Sequence, residues 1–176
     1  MRLGAELTAI NRATEWSLSV LRLASVCVLP LLACACDLPK DPDGATERVL
    51  ATQRLRVGVS ERPPWVQFEG SDVKGIEPDL IRALAAEMGA EVTWTRNGET
   101  PLLEMLEERQ LDVVAAGFTS NSPWLTRVAA TRPYLSSSER HILFAAPGEN
   151  QLLLRLDRYL ASARPQIAAL GGEVKP

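Results

Sequence analysis

The stretch Leu111-Asp112-Val113-Val114-Ala115-Ala116 decides the architecture of this chain. Its apolar side chains are nearly continuous instead of alternating. A strand built from them must be covered on both faces, which is the position of a central strand in a parallel sheet. Working upstream, Thr100-Pro101 opens a helix that turns Leu102, Leu103 and Leu106 inward and Glu104, Glu107 and Glu108 outward. Before it, Glu91-Val-Thr-Trp-Thr95 reads as a strand. Further back, Leu80, Leu84 and Met88 form a helical stripe with Ile81 and Ala85 beside it. Pro78 and Asp79 suit the first turn of that helix and Gly89 its stop. Leu55-Arg-Val-Gly-Val59 is the first strand.

Downstream, Ser122-Pro123 caps a short helix, and His141-Ile-Leu-Phe-Ala145 is a fourth strand. Asn150 then opens a last helix with Leu152, Leu153, Leu156, Tyr159 and Leu160 on one face. The alternation of strand and helix predicts an α/β fold, a single three-layer open sheet, mostly parallel, with helices on both faces.

The totals bound the function. The 176 residues are 46% hydrophobic and 23% charged, with a formal net charge of −3. The first 33 residues carry three arginines against two glutamates, so the remainder is mildly acidic and shows no basic stripe. Nucleic-acid binding draws its affinity from Lys and Arg on phosphates and is not expected. All three cysteines (Cys27, Cys34, Cys36) lie before residue 37, and His141 is the single histidine. A disulfide-stapled core and a Cys- or His-based metal centre are therefore excluded from the body. There is no Gly-x-Ser-x-Gly elbow, P-loop, Gly-x-Gly-x-x-Gly fingerprint or Cys/His dyad, so neither a catalytic residue nor a cofactor is expected.

Arg22 precedes eleven uncharged residues, Leu23–Ala33. That run is too short to span roughly 30 Å of hydrocarbon, but it has the length of the apolar region of an export signal. Leu31-Leu32-Ala33-Cys34 resembles the lipobox of bacterial lipoproteins, with small residues beside the cut and Cys34 as the thiol that takes the lipid. Plain secretion and an uncleaved anchor are the alternatives. The polar segment before Val20 is long for a signal, which points to translation from an alternative start near that residue. The expected organisation is residues 1–33 as a lipoprotein signal peptide, 34–53 as a lipid-anchored linker, 54–162 as the folded lobe, and 163–176 as a flexible tail containing Pro165, Gly171 and Gly172.

Five weak motifs occur in order: Leu55-Arg-Val-Gly-Val59, Pro64-Trp65, Gly75-Ile-Glu-Pro-Asp-Leu-Ile-Arg-Ala-Leu-Ala85, Leu111–Thr119 and Arg132-Pro-Tyr134. Together they resemble the family 3 periplasmic solute-binding proteins of ABC importers, a domain also found fused to lytic transglycosylases and sensor kinases. The resemblance implies one lobe of a two-lobed, type II binding fold. The second lobe would follow Pro133-Tyr134, but here only Leu135–Arg140 intervene before the return strand. Lobe 2 therefore reads as excised, either by specialisation or because the gene is a fragment of a decayed importer component.

The resemblance also implies a ligand-binding set: Glu61 and Trp65 from the first loop, Gly117 and Thr119 from the Gly-x-Thr segment, and Ser122 as the cap. The family's carboxylate-binding Arg has its place at Leu125, and the nearest guanidinium is Arg127. The implied function is an exported, lipid-anchored module for a small polar ligand, an amino acid or organic anion, associated with transport at the cell envelope. Its partners would be the membrane, an ABC permease or a second copy of the chain. A protein-interaction module or a non-catalytic accessory of a wall enzyme is the alternative. Trp65, Trp94 and Trp124 are the candidate residues of an open face.

Overall fold

The computed structural model describes residues 41–135 and 139–171. The export segment, Cys34 and the first part of the expected linker lie outside the described residues. In chain order the elements are α1 (Ala45–Thr52), β1 (Arg54–Val59), β2 (Gln67–Glu69), β3 (Asp72–Lys74), α2 (Ile76–Glu87), β4 (Glu91–Arg96) and α3 (Glu99–Glu107). There follow β5 (Val113–Ala115), a 3-10 turn (Pro123–Thr126), β6 (Ala129–Ala130), β7 (Phe144–Ala145) and α4 (Asn150–Gly171).

The main sheet has the order β4-β1-β5-β7-β6. β4, β1 and β5 are parallel, whereas β7 runs antiparallel to both β5 and β6. The register sorts the side chains by face, since strand residues alternate sides. Trp94, Val57, Val113, Ala145 and Ala129 share one face and pack under α2 and α4, with Ile81, Leu84, Leu152 and Leu156. Val114, Phe144 and Ala130 share the other, under α3, with Leu102, Leu103, Leu106 and Leu111. β5 is buried throughout, as its unbroken apolar sequence requires. Gly58 lies on the α3 side. A Cβ there would stand 2.7 Å from Leu111 Cδ1 and 2.8 Å from Leu102 Cδ2, so its lack of a side chain lets α3 close onto the sheet. The expected three-layer, mostly parallel α/β fold is the one observed.

Three local features differ from the sequence expectation. The segment read as linker as far as residue 53 contains α1, whose Ala45, Thr46 and Val49 are buried. Long-range polar contacts fix it. The Glu149 carboxylate accepts hydrogen bonds from the backbone N–H groups of Asp43 (3.1 Å) and Ala45 (2.9 Å). Asp112, almost fully buried, accepts from Arg48 of α1 and from the Arg56 guanidinium (2.6 Å) and backbone N–H (2.9 Å). Secondly, the N-terminus of α4 is capped from a distance: Asp41 accepts from the N–H groups of Gln151 (2.7 Å) and Leu152 (3.3 Å). Thirdly, α4 continues through the expected tail to Gly171, because Ala163 and Ile167 prolong the buried stripe of Leu152, Leu156 and Leu160. Pro165 falls on the exposed side of the helix, where its missing N–H costs least.

Candidate functional site

In an open α/β sheet, ligands sit beyond the carboxyl ends of the strands. At that edge the loop after β1 meets the loop after β5, where the Ser60 N–H donates to Ala115 O at 3.3 Å. Between them is a cleft of about 250 Å³. Arg62 and Glu99 form one wall, with 3.5 Å between Arg62 Nη2 and Glu99 Oε1. Thr119, Asn121, Ser122 and Trp124 form the other, and Gly117 and Phe118 the floor. Both hydroxyls and the Asn121 amide can donate and accept, and the ion pair offers either sign of charge to a polar ligand. A larger depression of about 430 Å³ lies between α2 and α4, lined by Leu84, Met88, Arg155 and Tyr159 among others. It is remote from the strand ends and collects no loop backbone, so the smaller cleft is the better candidate.

The floor is backed by a buried polar cluster. Gly117 has φ +61°, a left-handed conformation, and a Cβ there would lie 2.6 Å from Arg62 Cδ and 2.9 Å from Trp65 Cδ1. Only glycine satisfies both constraints. Its N–H donates to Glu77 Oε2 at 2.9 Å, and Tyr134 Oη donates to Glu77 Oε1 at 2.6 Å. Glu77, in the first turn of α2, is fully buried. Burial pushes its carboxyl from the usual value of 4.5 up to about 7, while the two hydrogen bonds and the charge of Arg62 oppose the rise. Burial also pushes the Tyr134 hydroxyl up, and the neighbouring Glu77 charge adds to that rise. His141 stacks on Trp65 with 3.7 Å between ring centroids and an interplanar angle of 29°. Burial lowers its pKa, opposed by the Glu139 carboxylate 3.3 Å from Nε2 and by a hydrogen bond to the Gly117 backbone.

The residues singled out from the sequence fall into two groups. Gly117, Thr119 and Ser122 line the cleft, and Ser122 also caps the 3-10 turn by accepting from the Trp124 N–H at 3.5 Å. Trp65, half-buried, lies behind the floor on His141 and edge-on to Tyr134. Glu61 turns to the β2–β3 hairpin, where Oε1 accepts from the Phe68 N–H at 3.2 Å. Arg127 is exposed and pairs in a fork with Glu107 at 2.7 and 2.5 Å; its guanidinium lies 5.4 Å from the ring centroid of the cleft residue Trp124, without itself lining the cleft. Of the open-face tryptophans, Trp124 reaches the cleft, whereas Trp94 lies under the Arg82 guanidinium at 5.3 Å. Sequence reasoning missed Arg62, Glu99 and Glu77. Arg62 could have been found from its place between Glu61 and Pro63 in the first loop; Glu77 stands inside the motif that begins at Gly75, but nothing local marks it for burial.

Residues 55–164 match the family model of bacterial extracellular solute-binding proteins, family 3. The chain belongs to that family. A probable histidine-binding protein of Campylobacter jejuni is 25% identical over 113 residues, covering 64% of this chain and 44% of that protein. The ABC transporter arginine-binding protein 1 of Escherichia coli is 30% identical over 90 residues, covering 50% of this chain and 37% of that protein. A membrane-bound lytic murein transglycosylase F of Cellvibrio japonicus is 28% identical, covering 69% of this chain and 25% of that protein. The chain thus spans less than half the length of these relatives. Among solved structures, the arginine-bound form of domain 1 from TmArgBP superposes with a TM-score of 0.60 at 23% identity, covering 65% of this chain and 97% of that one. An ancestral cationic amino acid solute-binding protein gives 0.62 at 12% identity, covering 70% and 95%. The fold is that of one lobe of a type II periplasmic binding protein.

Proposed function

We propose that this family member binds a small polar ligand, an amino acid or related organic anion, in the cleft between Arg62, Thr119, Ser122 and Trp124. The observation that carries this reading is the convergence of an Arg–Glu pair, two hydroxyls and an amide on about 250 Å³ of space at the strand ends. The histidine- and arginine-binding relatives favour an amino acid, and the Glu99 carboxylate suits a cationic side chain. One lobe covers one side of such a ligand, whereas tight pockets enclose roughly 70–90% of it. Binding by the monomer is therefore weak. Calorimetric titration of the full chain with L-arginine, L-histidine and L-glutamate tests this. Dissociation constants above about 10 μM, weakened further in Arg62→Ala, are expected. Sub-micromolar binding by a monomer would overturn the claim of weakness, and no binding of any of the three would overturn the ligand class.

The same reading puts the lobe at the cell envelope, lipid-anchored through Cys34 and working beside an ABC permease. Labelling with a radioactive fatty acid should mark the chain and fail to mark Cys34→Ala. A second reading, an interaction module or homodimer, is favoured by Leu125, 39% exposed next to Trp124 at the cleft rim. Light scattering at several concentrations separates the two. The likeness to part of a lytic transglycosylase keeps a wall-enzyme accessory as a third.

A further inference from the structure

A carboxylate taken out of water is costly unless its oxygens are well supplied with donors. Glu77 has two: the Gly117 N–H at 2.9 Å and the Tyr134 hydroxyl at 2.6 Å. Among the described residues it has no ion-pair partner. Its position connects three pieces of chain. The first turn of α2 is tied to the loop after β1, since Ile76 N–H donates to Pro64 O (3.4 Å) and Glu77 N–H to Trp65 O (3.1 Å). Gly117 begins the loop that supplies Thr119, Asn121 and Ser122 to the cleft. Tyr134 belongs to the connection between β6 and β7, where its N–H donates to His141 O at 3.0 Å. Through its backbone and its side chain together, this one residue thus joins the loop after β1, the loop after β5 and the returning chain.

We propose that Glu77 is the positioning residue of the cleft, and that its ionised carboxylate holds the Gly117–Ser122 loop in the ligand-competent shape, so that ligand affinity is linked to a proton. The ligand arm rests on the binding function proposed above; the loop arm does not. An ionised carboxylate accepts from both donors at once. Protonation on Oε1 turns that oxygen into a donor, so the Tyr134 hydroxyl must reverse to accept, and the Gly117 N–H is left on a neutral carboxyl, a weaker acceptor than the carboxylate. The groups facing the cluster are few. Tyr134 donates to it, Arg62 from the β1 loop favours its charge, and His141, whose pKa burial lowers, hydrogen-bonds the Gly117 backbone with Glu139 beside it. Burial holds the carboxyl at about 7, so both forms are populated near neutral pH. The sign follows: affinity rises as pH rises through about 7, and below it falls by up to about tenfold per pH unit, the limit for one linked proton.

The test is nuclear magnetic resonance of the full chain between about pH 5.5 and 8.5, a range that brackets the titration. In the wild type the Gly117, Thr119 and Asn121 amides should titrate together with a midpoint near 7. In Glu77→Gln, which keeps the shape and one acceptor, they should be flat. His141→Gln should keep the titration, which separates Glu77 from the imidazole. In Tyr134→Phe the midpoint should rise, since a donor to the ionised form is gone. Amides that do not move in the wild type, or that titrate alike in Glu77→Gln, overturn the proposal. With L-arginine as probe, wild-type affinity should be pH-dependent and that of Glu77→Gln constant; equal pH profiles overturn the linkage. If neither L-arginine nor L-histidine binds the wild type at any pH, the binding function fails, and the amide titration still decides the positioning role.

Discussion

Gly117 concentrates two constraints in one residue: a left-handed φ and a Cβ direction blocked by Arg62 and Trp65. The first costs an L-residue about 1–2 kcal/mol, and the steric conflict adds to it. Gly117→Ala should therefore lose at least about 2 kcal/mol of stability in urea unfolding; a loss under about 0.5 kcal/mol would show that the loop relaxes freely. Glu77 acts on stability through pH. Its folded pKa, about 7, lies above the ordinary 4.5, so the folded state binds the proton more tightly. The stability this contributes is fully present below about 4.5 and is lost as pH rises through 7, by at most about 3 kcal/mol. His141 has the opposite sign, since burial lowers its pKa. Denaturation midpoints of wild type and Glu77→Gln, compared from pH 5 to 8, isolate the carboxyl: the wild type should lose stability relative to the variant as pH rises. Gly117 was legible through the resemblance alone, as the first residue of the Gly-x-Thr segment. Glu77 was not, because it reads as one of two acids in a first helical turn, and the Tyr134 that buries it lies 57 residues away.

At the scale of elements, the amphipathic stripes of α2, α3 and α4 were readable because 3.6-residue periodicity is written locally. What escaped was α1 and about the last two and a half turns of α4. Asp41-Pro-Asp-Gly44 has the composition of a linker, and the residues that dock it, Asp112 and Glu149, are far along the chain. Asp41 and Glu149 put carboxylates at the N-termini of α4 and α1, where unpaired N–H groups and the helix dipole favour negative charge. The exchange is reciprocal: Asp41 serves α4 and also accepts from the Thr46 N–H of α1 at 3.0 Å, while Glu149 serves α1. Loss of a cap costs about 1–2 kcal/mol. Asp41→Ala and Glu149→Ala should each destabilise by that amount and together by less than the sum, because they share one junction. A chemical denaturation cycle checks it, and strict additivity would argue that the two contacts are independent.

For the whole molecule, two cores on opposite faces of one sheet share their strands. Leu102 is fully buried under α3 and Leu156 nearly so under α4. Each truncation to Ala should cost about 2–5 kcal/mol, and both should lower one common unfolding transition followed by fluorescence and by far-ultraviolet dichroism. Two separated transitions would mean that the layers fold apart. The three-layer architecture was legible from the β5 sequence, since an unbroken apolar strand admits no exposed face. The antiparallel turn of β7 and the short β6 were not, because their pairing depends on Thr131 and Tyr134 meeting Leu143 and His141.

The docking of residues 41–52 also sets a geometry of reach. Asp41 is held at the start of α4, and α1 packs at the start of β1 and β5, the sheet edge opposite the cleft. If Cys34 carries the proposed lipid, the stretch from it to Asp41 could span at most about 25 Å even when fully extended. A leash through residue 53 would have let the lobe roll against the bilayer in any orientation. The shorter reach would, on that proposal, keep this edge near the lipid and leave the cleft on the far side.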